Sequence, residues 1–163
     1  MAAVGSTTTI DTARVRDLIG LAARLIVGGV FLVAGGLKVG HPAVSARAVQ
    51  AYQILPFDVA AYVGYALPVL EILLGILLVL GLFTRPVAVI GALLLVVFMA
   101  GIASVWARGL SIDCGCFGQG GTIAPGRTRY FPELLRDSGL LACAIWLVAR
   151  PASLWSLDRG WFS

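Results

Sequence analysis

The sequence predicts an all-α integral membrane protein: a bundle of four transmembrane helices with a glycine-rich CxC loop between the third and fourth helices. Two observations predict this class. Hydrophobic residues make up 60% of the 163 residues and charged residues only 12%, about half of the charged fraction of a typical soluble domain. The apolar residues also lie in long runs with few charges, and about 20 such residues are enough for a helix to cross the hydrocarbon core.

The predicted helices follow these runs and cover residues 18–38, 59–83, 87–107 and 132–150. The first run is longer than the core of a signal peptide, which has about 7–15 residues, so we expect it to remain in the membrane. The four-residue link Phe83–Pro86 makes the second and third helices antiparallel neighbours. Residues 41–57 form a moderately apolar connection that is a candidate for a short interfacial helix.

The last run is the least regular. Its uncharged part has about 12 residues, too few to cross a membrane. Starting the helix at Pro132 gives it sufficient length and places Glu133, Arg136 and Asp137 in its first two turns. The chain is then one membrane domain over residues 18–150, with a disordered tail over residues 1–17 and a short tail over residues 151–163.

Charge restricts the partners and gives a preferred orientation. The net charge of +4 comes from scattered basic residues, without the basic stripe that a nucleic-acid partner requires. Four spans place both termini on one side, and the basic residues divide equally between the two sides, so the positive-inside rule does not decide. Arg14 and Arg16 precede the first span, and a thiol pair that cycles suits an oxidising compartment. We therefore expect a multi-pass protein of the inner or plasma membrane with cytoplasmic termini.

The strongest candidate for chemistry is the pair Cys114 and Cys116, separated by Gly115. A disulfide between them would close a very small, strained ring, and a strained, accessible disulfide is the kind that exchanges. We predict that both cysteines are catalytic in thiol–disulfide exchange. A static local disulfide remains an alternative, as does a soft-metal site that includes His41, although no complete set of metal ligands is present. Cys143 lies in mid-helix and is expected only to pack.

Glu71 is the only charged residue in the second run. A carboxylate inside a span is costly and usually faces the bundle, where it finds a basic partner. Depth along the helices favours Arg136 as that partner, with Arg24 as the second candidate. A structural ion pair is the simplest interpretation, and a proton path or a quinone site is the alternative.

Several short motifs, taken in order, resemble the DoxX-like membrane proteins and, within that group, the MauE branch. The resemblance covers residues 18–150. It rests on these segments: Ala34–Lys38, Leu67-Pro68 followed by Glu71, Gly81–Arg85, Cys114–Gly118 and Leu135–Asp137.

The resemblance implies a four-helix membrane protein associated with redox chemistry. MauE-like proteins are linked to the maturation of a periplasmic, disulfide-rich methylamine dehydrogenase, and DoxX-like proteins to thiosulfate:quinone oxidoreduction and thiol stress.

Two functional hypotheses follow from the residues and the resemblance. In the first, the CxC pair exchanges disulfides with an extracytoplasmic protein and passes electrons to a quinone, the candidate cofactor, or to another membrane protein. In the second, the chain is a non-catalytic anchor or assembly subunit of a larger redox complex. A conduit built around Glu71 is a third alternative.

Overall fold

The computed structural model describes residues 7–113, 121–122 and 130–150. Within these ranges the secondary structure is helical apart from two strands of two residues each, and short turns connect the elements. In chain order the elements are α1 Thr7–Val39, α2 Pro42–Ala51, α3 Phe57–Leu80, α4 Thr84–Ala107, β1 Ile112–Asp113, β2 Gly121–Thr122 and α5 Tyr130–Ala149.

The helix boundaries lie within two residues of the predicted ones except at the start of α1, the end of α3 and the start of α4, which begins at Thr84 rather than at residue 87. Helix α1 begins at Thr7, inside the segment predicted as a disordered tail, because residues 7–17 contain no proline or glycine to interrupt it. Helix α3 ends at Leu80 rather than at residue 83, because Gly81 adopts a left-handed conformation with φ 69°. The Gly81 amide then donates to the Leu78 carbonyl and the Leu82 amide to the Leu77 carbonyl, which closes the helix as a Schellman motif.

In the described part of the chain, three helices are long and apolar enough to cross a membrane: residues Arg14–Val39 of α1, all of α3 and all of α4. Helix α5 is not among them, because Glu133, Arg136 and Asp137 lie in its first two turns. The chain is therefore a predominantly helical, multi-pass membrane protein with three evident spans among the described residues, and the predicted count of four spans is not confirmed. The candidate interfacial helix is present as α2.

The two ends of the bundle differ. At one end, which we call the turn end, Gly81, Leu82 and Phe83 connect α3 to α4. At the other end, which we call the strand end, α1 and α4 finish and α3 and α5 begin. Helix α2 and the two strands also lie at this end. The apolar core packs α1, α3, α4 and α5 together, mainly towards the turn end, through residues such as Val27, Leu78, Ala88 and Leu147.

Helices α1 and α3 are antiparallel, and glycines bring them into contact. A Cβ atom on Gly75 would lie 2.8 Å from the Gly28 carbonyl oxygen, and one on Gly35 would lie 2.7 Å from the Pro68 carbonyl oxygen. Small residues allow such close approach of helices in a membrane, where dispersion and polar contacts hold them together. These contacts fix the register: Gly28 lies opposite Gly75, and Gly35 opposite Pro68.

Candidate functional site

The most unusual group inside the bundle is an ion pair between α1 and α3. The Lys38 ammonium (Nζ) lies 2.8 Å from Oε1 and 3.0 Å from Oε2 of Glu71. Lys38 is 10% exposed and Glu71 is 1% exposed. The ammonium also lies 6.0 Å from the ring centre of Phe98 on α4, a distance at which a cation is attracted to an aromatic face. The three helices thus enclose one pair of opposite charges in a position from which water is largely excluded.

The geometry of antiparallel helices explains why these two residues meet. By the register of α1 and α3, Lys38 lies level with Tyr65, about 9 Å nearer the strand end than Glu71. Side chains on a helix lean towards its N-terminus. Because α1 starts at the turn end and α3 at the strand end, the side chains of Lys38 and Glu71 lean towards each other and close this gap.

The partners predicted for Glu71 from depth alone were wrong. Arg24 lies level with Val79 and donates from Nη2 to its carbonyl oxygen at 3.4 Å. It lies nearer the turn end than Glu71, so the two side chains lean apart. Arg24 is 2% exposed and contacts the last turn of α3, where helix carbonyls lack partners within the helix.

Arg136 is paired within its own helix instead. Its Nη2 atom lies 2.7 Å from Oε2 of Glu133 and 2.8 Å from Oδ1 of Asp137. Helix α5 packs mainly against α4 and α1, whereas Glu71 lies between α1 and α3 and pairs with Lys38. Arg136 thus balances one of the two negative charges at the start of α5 while contacting both carboxylates.

The two strands pair at the strand end, on either side of residues 114–120. They are antiparallel, with Ile112 opposite Thr122 and Asp113 opposite Gly121. Ile112 is 1% exposed. Because both strands are short, the neighbouring elements must hold this ladder in place.

Helix α5 provides one such attachment. The Tyr130 hydroxyl donates a hydrogen bond to the Leu110 carbonyl oxygen, two residues before β1. The Tyr130 ring stacks on Trp106, with 5.9 Å between ring centres and 24° between planes. The start of α5 is therefore fixed to the end of α4 and to the residues that lead into β1.

Helix α2 provides the second attachment. It packs against the first half of α3, where the Ser45 hydroxyl donates to the Gly64 carbonyl oxygen at 2.6 Å, and β2 lies against it. Arg108, just after α4, donates from its guanidinium to the Tyr52 and Gln53 carbonyl oxygens beyond the end of α2. The end of α2 is thus bonded to the end of α4.

The cysteines predicted to be catalytic, Cys114 and Cys116, lie outside the described residues. Cys143 is half-buried in α5 and packs against the apolar core, as predicted. Among the described residues, no three or more His, Cys, Asp or Glu side chains come together to hold a metal ion.

Sequence reasoning missed Lys38 because it stands at the end of an apolar run, where a lysine is expected to extend to the headgroups. The spacing of the glycines indicates the register of α1 against α3, from which the position of Lys38 follows. Gly28 and Gly35 are seven residues apart, so they share one face of α1, and pairing them with Gly75 and Pro68 on α3 gives the register that places Lys38 above Glu71.

Comparisons with known proteins agree with this architecture. Residues 16–150 match the model of a family described as methylamine utilisation protein MauE. A curated relative, the methylamine utilization protein MauE of Paracoccus denitrificans, is 35% identical over 100 residues, which are 61% of this chain and 54% of the relative. The chain thus spans about half the length of the curated relative it matches. No solved structure is similar to it at a significant level.

Proposed function

This chain belongs to the MauE family, and from that premise we propose that it is a membrane thiol–disulfide exchange protein that acts in methylamine utilisation. In this proposal Cys114 and Cys116 form the reacting pair and exchange with the thiols of an extracytoplasmic protein. The name of the curated relative, methylamine utilization protein MauE, supports methylamine utilisation as the setting. The cysteine pair supports the chemistry, since the third cysteine of the sequence, Cys143, is half-buried in α5.

The observation that carries the proposal is the pairing of β1 with β2. The ladder joins Asp113, the residue before Cys114, to Gly121, so the residues on both sides of the CxC segment are held next to each other. Tyr130 and α2 fasten this ladder to the bundle. A reacting pair works best when the elements around it are rigid, because a partner then meets it in one orientation.

The exchange conserves electrons and protons in the following steps. A partner thiolate attacks one sulfur of the Cys114–Cys116 disulfide, which forms a mixed disulfide and releases the other sulfur as a thiolate. A second partner thiol, as its thiolate, attacks the partner's own sulfur in the mixed disulfide and releases the second cysteine. The partner gains one disulfide, and the CxC pair gains two electrons and two protons. A membrane quinone that becomes a quinol, or the disulfide of another membrane protein, then takes both from the pair.

We also propose that α5 is a fourth span. At 20 residues it is about 30 Å long, enough to cross the hydrocarbon core. Arg136 pairs with Glu133 and Asp137, which reduces the cost of placing three charges near one membrane face. Four spans put both termini on the same side of the membrane. We assign the chain to the inner or plasma membrane, with both termini in the cytoplasm and the strand end outside.

The exchange is tested by titrating the thiols of the full chain in native membranes. The background carries Cys143→Ser, so that only the CxC pair can react, and the membranes are equilibrated with dithiol buffers of stepped potential before thiol alkylation and gel-shift analysis. We expect both thiols to appear together in one two-electron transition, with a tenfold change in the reduced-to-oxidised ratio for about every 30 mV. A pair that stays oxidised or stays reduced throughout the range contradicts the proposal and favours a non-catalytic anchor or assembly subunit.

Single-cysteine variants identify the partner and the attacking sulfur. Cys116→Ser and Cys114→Ser each leave one thiol and no disulfide, so these variants can only run the exchange in reverse. The remaining cysteine, as its thiolate, attacks the partner's disulfide, and because no second cysteine can release it, the partner should be retained as a mixed disulfide that a reducing agent releases. The double variant is the matched control and should retain nothing. Membrane-impermeant maleimide applied to reduced intact cells tests the orientation, because labelling of the pair only after lysis would reverse it.

A further inference from the structure

We propose that the Lys38–Glu71 pair is a positioning device that fixes α2, and through α2 fixes strand β2 beside the CxC segment. The proposal concerns described residues only, and it rests on the proposed function in one respect, the redox readout of its test. Two charges buried in a membrane protein are costly and usually serve a purpose beyond packing. The pair lies at the α1–α3 interface, and a continuous series of contacts leads from it to the strands.

The first step of the series is the corner between α1 and α2. Lys38 is in the last turn of α1, and its backbone carbonyl oxygen accepts a hydrogen bond from the His41 amide at 2.9 Å. The His41 carbonyl oxygen accepts from the amides of Val44 and Ser45 at 3.0 and 3.2 Å. The backbone is therefore hydrogen-bonded without a break from Lys38 into the first turn of α2, and a shift of Lys38 is transmitted to α2.

The second step is the contact of α2 with α3 and β2. A Cβ atom on Gly64 would lie 2.5 Å from Cα of Ala46, so the two helix backbones touch. The Ser45 hydroxyl bonds the Gly64 carbonyl oxygen at the same place. With so little space, α2 has one position against α3, and β2 packs on α2 in that position.

A second route connects the pair to the strands through α4. The Lys38 ammonium faces the Phe98 ring, and Arg108 at the end of the same helix bonds the Tyr52 and Gln53 carbonyl oxygens that follow α2. Helix α2 is therefore held at its start by the corner above Lys38 and at its end by Arg108. Loss of either hold should loosen the strand ladder.

A charged pair suits this position because its hydrogen bonds are directional. Packing between apolar side chains tolerates sliding and rotation, whereas two hydrogen bonds from one ammonium to both carboxylate oxygens require a defined distance and angle. When Glu71 loses its charge, the Lys38 ammonium is left unpaired in a dry environment, and it is expected to extend towards the headgroups. That movement would release the corner and α2.

The test uses Glu71→Gln in the full chain, purified in nanodiscs, with Glu133→Gln as the matched control, because Glu133 also forms an ion pair but lies on α5 away from α2. Hydrogen exchange is measured on peptides that cover Ile112 and Thr122, whose residues pair in the ladder. We expect exchange there to become about tenfold faster in Glu71→Gln and to stay unchanged in Glu133→Gln. The reduction potential of the CxC pair should shift only in the Glu71 variant.

Two double variants separate positioning from simple stabilisation. Lys38→Glu with Glu71→Lys restores opposite charges and should restore both strand protection and the potential. Lys38→Met with Glu71→Leu replaces the pair by apolar side chains, a change that often preserves or increases stability. It should unfold like the unchanged protein and still show fast exchange in the strands. Because this variant is expected to fold, the proposal stays testable even if Glu71→Gln does not accumulate.

Each proposal can fail without the other. If Glu71→Gln leaves strand exchange unchanged, or if the apolar double variant restores full protection, the pair only stabilises the bundle and the positioning proposal is wrong. If the strands loosen as expected while the cysteines of the unchanged protein do not titrate, the positioning proposal holds and the exchange function is wrong.

Discussion

Replacement of Gly64 by alanine should destabilise the protein more than an alanine at any exposed glycine. A Cβ atom at position 64 would lie 2.5 Å from Cα of Ala46, 2.8 Å from its nitrogen and 2.8 Å from the Ser45 carbonyl oxygen. All three neighbours are backbone atoms of α2, so no change of side-chain rotamer can make room. The helices themselves must separate.

The size of the effect follows from these distances. Carbon atoms prefer separations of about 3.5–4.0 Å, so α2 must move away by about 1 Å. Overpacking of this kind costs about 1–3 kcal/mol, and loss of the Ser45 hydrogen bond to the Gly64 carbonyl oxygen adds about 1 kcal/mol. Alanine recovers about 1 kcal/mol through its helix propensity. The net loss is about 1–3 kcal/mol, which corresponds to a fall in Tm of about 4–8 °C for a loss of about 2 kcal/mol in a domain of this size.

The assay is thermal unfolding of the purified protein in one detergent, followed by the loss of monomer on size exclusion. Gly36→Ala is the matched control, because Gly36 is also within a helix and a Cβ atom there would meet nothing within 4 Å. Its Tm should stay equal or rise. A Gly64 variant as stable as the Gly36 variant would refute the close α2–α3 contact and, with it, the route by which we connect Lys38 to the strands.

Three further predictions test other parts of the structure. Arg24→Met removes the guanidinium that bonds the Val79 carbonyl oxygen. It should lower the free energy of unfolding, measured by denaturant titration, by about 1.5–3 kcal/mol. An effect below the error of that titration would mean that this bond to the end of α3 does not stabilise the protein. Tyr130→Phe removes the bond to the Leu110 carbonyl oxygen but keeps the ring that stacks on Trp106, so hydrogen exchange should rise in β1 while Tm falls by only a few degrees; unchanged exchange would mean that the hydroxyl does not hold the strand. Cys143→Ala should cost some packing stability and leave thiol exchange intact; loss of exchange at equal protein level would place the third cysteine in the relay.

Patterns along the chain were sufficient to predict the helices. A run of about 20 apolar residues has few alternatives to a membrane helix, because its backbone must satisfy its own hydrogen bonds in lipid. The link predicted at Phe83–Pro86 was misplaced, because residues 84–86 form the first turn of α4. The predicted end was within two residues of the observed one at Pro132, which lies in the first turn of α5. Two other predicted ends show why boundaries are harder to predict than helices. They were wrong at Thr7, where a polar sequence simply continued the helix, and at Leu80, where the left-handed Gly81 closed it early.

The pairing of charges could not be predicted in the same way. Glu71 was recognised as a buried group from its place in an apolar run. A single carboxylate among apolar residues of one helix is enough to predict its burial, whatever the other helices do. Its partner depended on the relative position of two helices and on the direction in which their side chains lean. Depth along each helix suggested Arg136 and Arg24, whereas the glycine contacts between α1 and α3 bring Lys38 to Glu71.

The sequence by itself therefore determined the class of the protein, its apolar helices and the presence of a CxC pair, because each of these depends on neighbouring residues in the chain. Only the tertiary structure decided which charges meet, which residues hold α2 and that β1 pairs with β2 around residues 114–120. These features depend on interhelical register, and a shift of one helical turn, about 5.4 Å, would replace every one of these contacts without changing the pattern of apolar residues that the sequence displays.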